Sequence, residues 1–506
     1  MSEAIITPTR KQQTFLWALA TVICFVVFTA NGCMVGPDYH APQSVVPTEW
    51  AGIEKTPTYQ SSVATMQAAD LTAWWKQFND PTLNVLVDEA LRTNLNLSMA
   101  EARLRQARAI RGIAIGGLWP SVTISGSYQR LHPAGVILPN TDIYQAGFDA
   151  VWELDIFGGL RRNVESASAN IEAAIENIRD AQVSLIAEVA LDYIQLRGFQ
   201  QRIVIAQNNL KSQRHTAEIT RKLLNVGFAS ALDVANAEAD VATTESQIPV
   251  FETSERQTIY ALSVLLAKLP ASLMKQLLPA GDLPTIPAQV PVGLPSDLLR
   301  RRPDIRSSEA QLHAATAQIG VAVSDLFPSF SLTGSMNWSS NLLRTWWNES
   351  NRSSAIGPSV TWPIFQGGAI ISNVRLQEVL RDQAFITYQE TVLAAFQDVE
   401  NSLVAFDKEQ LHRKWLQNSV DANRKAVDLS MQLYIEGQID FLNVLVAQRS
   451  LYASEDELVQ SKQSIATDLI ALYKALGGGW ESEPSKETKK VSIPTTATSG
   501  TKLSGK

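Results

Sequence analysis

Residues Pro120–Arg130 read P-S-V-T-I-S-G-S-Y-Q-R. Val122, Ile124, Gly126 and Tyr128 fall on one parity, and Thr123, Ser125, Ser127 and Gln129 on the other. Successive side chains of a strand point to opposite faces, so the stretch predicts a strand with one apolar and one small-polar face. A second such strand follows at about 142–154, where Tyr144, Ala146, Phe148, Ala150, Trp152 and Leu154 oppose Gln145, Gly147, Asp149 and Glu153. The pair then recurs. Phe330, Leu332, Met336 and Trp338 oppose Ser329, Ser331, Thr333, Ser335 and Asn337, and a partner strand runs through Ile356, Val360, Trp362 and Ile364. Alternation over about ten residues is the pattern of a transmembrane β-barrel. Six of the 12 tryptophans (Trp119, Trp152, Trp338, Trp346, Trp347, Trp362) lie in or beside these strands, where an aromatic girdle belongs. A soluble sheet resting its apolar face on a protein core is the competing reading. Four strands cannot close in hydrocarbon, where each unpaired amide costs several kcal/mol. Other copies must close them: two would give eight strands and a filled interior, three twelve and room for a pore.

The strands are set between helices in a duplicated chain. Glu101–Leu104 aligns with Glu309–Leu312 and Leu118–Ser121 with Leu326–Ser329, both at an offset of 208. Gly227 aligns with Gly437 and Leu232–Val234 with Leu442–Val444, at 210. Ordered matches with small drift mark one unit repeated with loop insertions. Leu160–Val226 and Ala369–Glu436 contain no proline, and at ~1.5 Å per residue each predicts a rod of roughly 100 Å. Phe385, Tyr388, Val392, Ala395, Val399, Leu403 and Phe406 step by three and four, a coiled-coil seam. Ile171, Ile175, Ile178, Leu185 and Val189 repeat it in the first rod. Gly198 predicts a bend there and Pro249 a kink in the following helix.

The ends are addresses rather than fold. An apolar run, Phe15–Ala30, follows Arg10-Lys11 and ends in Ala30-Asn31-Gly32-Cys33. A charged start, an apolar middle and small residues before a cleavage point describe a secretory signal, and the cysteine after it resembles a bacterial lipobox, with Cys33 as the lipidation site. The alternative is a membrane anchor with an incidental cysteine. The domain reading is a signal at 1–32, a lipidated segment at 33–80, a first repeat at 81–278, a Pro-rich linker at 279–295, a second repeat at 296–480 and a disordered tail at 481–506. Within the repeats the strands are placed at about 120–130, 142–154, 329–338 and 355–365. The long helices are placed at 160–226 and 369–436, and the hairpin helices at 230–268 and 438–477.

Composition excludes much else. A net charge of −7 argues against a nucleic-acid partner. Five scattered histidines and two cysteines make no metal-ligand set. Paired catalytic carboxylates, a nucleophile elbow and a phosphate loop are all missing, so the chain reads as no enzyme, with no cofactor beyond a covalent lipid.

Four stretches resemble the TolC-like outer-membrane efflux factors of the NodT lipoprotein type: Cys33–Pro42, Leu298–Ala315, Trp362–Gly368 and Leu433–Leu451. The resemblance covers about 33–480. It implies a mainly α fold with a transmembrane β part: a homotrimer whose twelve-stranded barrel in the outer-membrane lipid continues into a helical periplasmic tunnel. It implies a passive exit duct for drugs, solvents or other toxic compounds, docked to a periplasmic adaptor and an inner-membrane pump of the RND type. It places Gly227 and Gly437 at the hairpin turns of the tunnel tip, with Leu232, Asp233, Asp440, Leu442, Asn443 and Val446 at the aperture. The family often carries a carboxylate ring there. Asn443 and Val446 depart from it, which favours an apolar constriction, with plain interhelical packing as the alternative. The competing function is a coiled-coil structural or adhesive lipoprotein, against which the paired amphipathic strands count.

Overall fold

The computed structural model describes residues 34–43, 46–52, 62–67, 71–132 and 141–481. Cys33, the signal-like segment and the tail beyond Glu481 lie outside the described residues. Each repeat holds a helical lead-in, two strands, a long helix and a shorter return helix. In the first, α1 (Pro81–Thr93) and α2 (Leu95–Gly116) precede β2 (Ser121–Leu131) and β3 (Thr141–Leu154), then α3 (Gly159–Asn225) and α4 (Ala231–Leu265). A short α5 (Met274–Leu277) opens the linker. In the second repeat α6 (Pro295–Arg301) and α7 (Pro303–Ser324) precede β5 (Ser329–Ser340) and β6 (Arg352–Thr361), then α8 (Ala369–Ile435) and α9 (Phe441–Ala475). The duplication is metrical: α3 and α8 each have 67 residues, α4 and α9 each 35, and α2 and α7 each 22.

Two sheets result. The parallel pair β1 (Val63–Thr65) and β4 (Gln289–Pro291) ties the N-terminal segment to the linker. The other is one antiparallel sheet in the order β2-β3-β5-β6. Expectation and structure differ at β6, which starts at Arg352 and ends at Thr361, so Trp362 and Ile364 lie beyond it. Pro363 has no amide to donate to a ladder, and Gly367 and Gly368 take φ of 58° and 86° to turn the chain into α8.

The core sits halfway along the rods. Trp74, Trp75 and Phe78 of a 3₁₀ turn pack with Tyr193, Ile194, Leu469 and Tyr473. Tyr193 donates to Asp80 at 2.7 Å and Tyr473 to Gln77 at 2.7 Å, so both buried hydroxyls are satisfied. The α8 seam is buried from Tyr388 to Phe406, whereas Phe385 above it is partly exposed. In α3 the fully buried residues are mostly others, among them Ala173, Ile186, Ala187 and Ala190. That helix is packed on by α2, α4, α7 and α9, and small side chains let several rods approach at once.

Neither expected irregularity breaks a helix. Gly198 lies inside an unbroken α3, where a β-carbon would displace the end of the Gln463 side chain of α9. Pro249 lies inside α4 on an exposed face. Water can therefore satisfy the carbonyl that loses its amide partner, as happens in tolerated proline helices. The Arg301–Asp304 element is an interlock. Arg302 donates to Asp304 at 2.7 Å, to Asp398 of α8 at 3.0 Å and to the Ala475 carbonyl at 3.1 Å.

Two carboxylates on the rods set a pH dependence. Burial, with Glu188 adding, pushes Asp192 up to about 6, and burial, with Glu409 adding, pushes Asp468 up to about 6. The folded chain therefore holds protons that the unfolded one has released. Their stabilising contribution is full below about pH 3.9 and lost as pH rises through about 6. Asp192→Asn should raise the thermal midpoint by a few degrees at pH 7.5 and leave it nearly unchanged at pH 4. Equal shifts at both pH values would contradict this.

Candidate functional site

Hydrogen-bond register assembles the four alternating stretches into two coherent faces. Ile124 lies opposite Phe148 and Phe148 opposite Met336, while Phe330 lies opposite Val360. All belong to one face, which runs from Leu154, Phe330 and Val360 beside the helices to Tyr128, Tyr144 and Trp338 at the far end. The other face carries Thr123, Ser125 and Ser127, then Gln145, Asp149 and Glu153, then Thr333, Ser335 and Asn337, then Ser353, Gly357 and Ser359. Its only charged side chains among the described residues are Asp149 and Glu153. Gly147 is required on it, because a β-carbon there would run into Asn337, its register partner.

The aromatic residues form two belts at the ends of the apolar face. Trp152 donates its indole N–H to the Leu118 carbonyl at 3.0 Å, and Trp362 donates to the Leu326 carbonyl at 3.1 Å. These are equivalent places in the two repeats, so the duplication survives as a hydrogen bond. At the far end Tyr128 packs on Tyr144 with centroids 5.0 Å apart, and Trp338 on Trp347 at 5.2 Å. The outer strands are open: all of β2 and nearly all of β6 is exposed.

The opposite end of the molecule is the pair of hairpin turns. Gly227 takes φ of 83° and Gly437 φ of 74°. Phe228 N–H donates to the Leu223 carbonyl and Gly227 N–H to Leu224, and Gln438 and Gly437 repeat this on Leu433 and Tyr434. These are paired 6→1 and 5→2 closures of a helix end that require a left-handed residue. Beyond them Leu232, Leu442 and Val446 are exposed in the single chain, as is Phe228, at 81%. Asp233 has a local duty: its carboxylate accepts from Ser230 N–H at 2.8 Å while its own N–H donates to the Ser230 hydroxyl at 3.1 Å, a capping box. Asp440 stands at the cap position of α9 through its backbone, and Asn443 donates to the Asp440 carbonyl. Thus Asp233 is held on its own helix and Asp440 is 207 residues away on the other hairpin, with Leu232 and Leu442 beside them.

Behind the tip lies a cross-repeat clamp. Arg449 of α9 forks onto buried Asp240 of α4, with contacts at 2.6, 3.0 and 3.1 Å. This pairing raises the Arg449 pKa. Gln448 donates to Thr216 at 2.8 Å and Arg202 to Asp456 at 2.7 Å along the same seam. Tyr434, Phe441, Val444 and Leu445 bury against Ala217 and Ala237 between them. The Ser230-x-x-Asp233 spacing is a readable signal for the cap. Nothing local marks Asp240 and Arg449 as partners.

Known proteins share this arrangement. The profile of the family described as "Outer membrane efflux protein" matches residues 86–268 and again 294–478. Nodulation protein T of Rhizobium leguminosarum bv. viciae is 34% identical over 459 residues, covering 89% of this chain and 91% of that one. The toluene efflux pump outer membrane protein TtgC of Pseudomonas putida is 32% identical over 484 residues, 94% of this chain and 98% of its own. Among solved structures, the outer-membrane channel OprN superposes with a TM-score of 0.81 at 36% identity, over 88% of this chain and 100% of that one.

Two substitution sets follow from this geometry. Arg at Phe148, in mid-strand, should cost about 2–4 kcal/mol per chain and lower the heat-modifiable oligomer in membrane fractions, whereas Arg at Val360, beside the helices, should cost about 0–1 kcal/mol. Arg at Ser125 or Thr333, on the other face, should assemble normally and change conductance. Like behaviour of the two sets would refute the face assignment. At the tip, Arg449→Ala removes a fork whose arginine is largely exposed and so worth only about 1 kcal/mol, and should raise basal conductance modestly, whereas Asp233→Asn should leave it near wild type.

Proposed function

The chain belongs to the outer membrane efflux protein family, a passive outer-membrane channel and no enzyme, and we propose that three copies of it close one pore. The observation that carries the proposal is the single four-stranded sheet, apolar on one face and small-polar on the other, with both edges unpaired by any other strand among the described residues. Three such sheets make twelve strands, enough to enclose an aqueous lumen lined by the face of Ser125, Asp149 and Thr333. The rods α3 and α8 continue that lumen as a tunnel through the periplasm, and no helix among the described residues is long and apolar enough to cross a membrane itself.

The N-terminus is lipidated at Cys33 in this reading. Its support is the seat of the next residues: Val35 N–H donates to the Phe157 carbonyl at 3.0 Å, and a side chain at Gly158 would collide with Met34. Buried Arg162 holds the Val35 carbonyl at 3.2 Å and Asp38 at 2.7 Å. The segment after Cys33 is therefore fastened where strands give way to helices, the level of the inner leaflet surface, and an acyl chain there reaches lipid without unfolding anything.

At the tip, six leucines from Leu232 and Leu442 converge on the threefold axis, and a dewetted gap between them blocks ions without a charge. A periplasmic adaptor opens it by parting the hairpins, and an inner-membrane pump of the RND type delivers the cargo. Relatives named for toluene and antibiotic efflux support small toxic compounds as cargo. Selectivity by shape belongs to the pump, because the lining is mostly small polar side chains, with Asp149 and Glu153 adding a bias against anions.

Three measurements test this. A strain lacking the protein should become several-fold more sensitive to pump substrates and recover with the wild-type chain; no change on deletion would count against the duct. Acyl-chain labelling should mark the wild type and not Cys33→Ser. Leu232→Ser with Leu442→Ser should raise conductance in planar bilayers and admit large antibiotics. A double variant as closed as wild type, beside an open Asp233→Asn, would show the gate to be electrostatic.

A further inference from the structure

The loop joining β5 to β6 is built, not slack. The Ser340 hydroxyl and the Thr345 hydroxyl lie 2.9 Å apart, Asn351 donates to the Thr345 carbonyl at 2.7 Å, and Trp346 donates its indole N–H to the Trp338 carbonyl at 3.3 Å. Yet this fixed loop leaves Leu342, Leu343 and Trp347 exposed, the last at 66%. Its direction is set by the packing of Trp347 on Trp338, which shares the apolar face with Met336 and Leu332. The loop therefore folds outward over the far end of that face and away from the polar one. Arg352 is the register partner of Trp338 on the same face, and Arg344 is exposed within the loop. Glu349, highly exposed and 3.6 Å from Arg352, is the one carboxylate in the loop.

We propose that this patch is a binding surface for the phosphorylated glycolipid of the outer leaflet, lipopolysaccharide, with Leu343 and Trp347 among its acyl chains and Arg344 and Arg352 on its phosphates. The proposal rests on the barrel reading, since it places the far end of the sheet at the outer surface. Two features on the molecule select this occupant. The patch continues the lipid-facing surface without a break, so its apolar residues enter the same hydrocarbon. Its exposed charge is two guanidiniums against one carboxylate, and guanidinium forks match phosphate oxygens. At the other end the belt's indoles bond backbone carbonyls, and the arginines of that junction, Arg161 and Arg162, are engaged by Asp155, Asp38 and Glu165.

The test uses full-length protein purified from outer membranes as the heat-modifiable oligomer, with fluorescent lipopolysaccharide as the probe. Arg344→Gln with Arg352→Gln should weaken binding roughly tenfold or more. Leu343→Ser with Trp347→Ser should weaken it comparably, and lipopolysaccharide stripped of phosphate should compete poorly. Binding unchanged in the arginine variant, or competition by phosphatidylglycerol vesicles as strong as by lipopolysaccharide, would overturn the proposal while leaving the barrel intact. A Trp347 that is shielded from brominated lipid by a neighbouring copy would overturn it too. Failure of the wild type to form the oligomer at all would defeat the barrel reading itself.

Discussion

The outer edges of the four-stranded sheet, β2 and β6, each carry a row of backbone amides and carbonyls that no other strand among the described residues satisfies. In water such edges are a hazard, and in hydrocarbon they are prohibitive. Every larger feature of the molecule answers to that constraint. A lone sheet this narrow cannot curl shut, and the apolar face has no protein core to rest on: Ile124, Phe148, Ile356 and Val360 are all exposed. Association with other copies, as proposed, would satisfy edges and apolar face together, the first by pairing and the second by lipid.

Duplication makes the closure regular. The long helices are equal in length, as are the return helices, so the two hairpins reach the same depth and their turns lie at one level. The helical body is then rigid where it must be. A belt of aromatic side chains locks the rods near their middle, while polar pairs such as Arg449 with Asp240 tie the repeats together close to the tip. Apolar packing is sparse at that end, where only a small cluster around Tyr434 and Phe441 is buried. A region with few buried apolar contacts and a handful of directional ones has the local stability profile of a part that moves.

Much of this was legible in the chain. Period-two alternation assigned Phe148, Val360, Ser125 and Thr333 to faces because a strand's side-chain geometry leaves no other choice, and the long proline-free runs announced the rods. The α8 seam was readable because that helix presents one buried stripe. The α3 seam was less so, since a helix packed on several sides loses the contrast that periodicity needs. Gly198 and Pro249 interrupt neither helix, and what each does depends on its neighbours across the bundle, one on Gln463 and the other on solvent. Arg449 and Asp240 were invisible because they are 209 residues apart and each alone reads as a solvated charge. The cap on Asp233 was missed although Ser230-x-x-Asp233 carries its signal, and it assigns that carboxylate to its own helix.

The account stands on edge pairing between copies, and disulfide trapping measures it directly. Cysteines at Thr123 of β2 and Ser359 of β6 lie on opposite edges of the sheet, on the same polar face and near the same end. The native chain offers only Cys24 and Cys33 to interfere. Oxidation of the double-cysteine protein in outer membranes, scanned one residue to either side for register, should give a ladder of dimer and trimer that stops at three. Each single-cysteine protein should stay monomeric on a denaturing gel. A ladder that stops at two or runs past three, or the absence of any inter-chain bond while the protein remains in the membrane, would contradict closure by three copies.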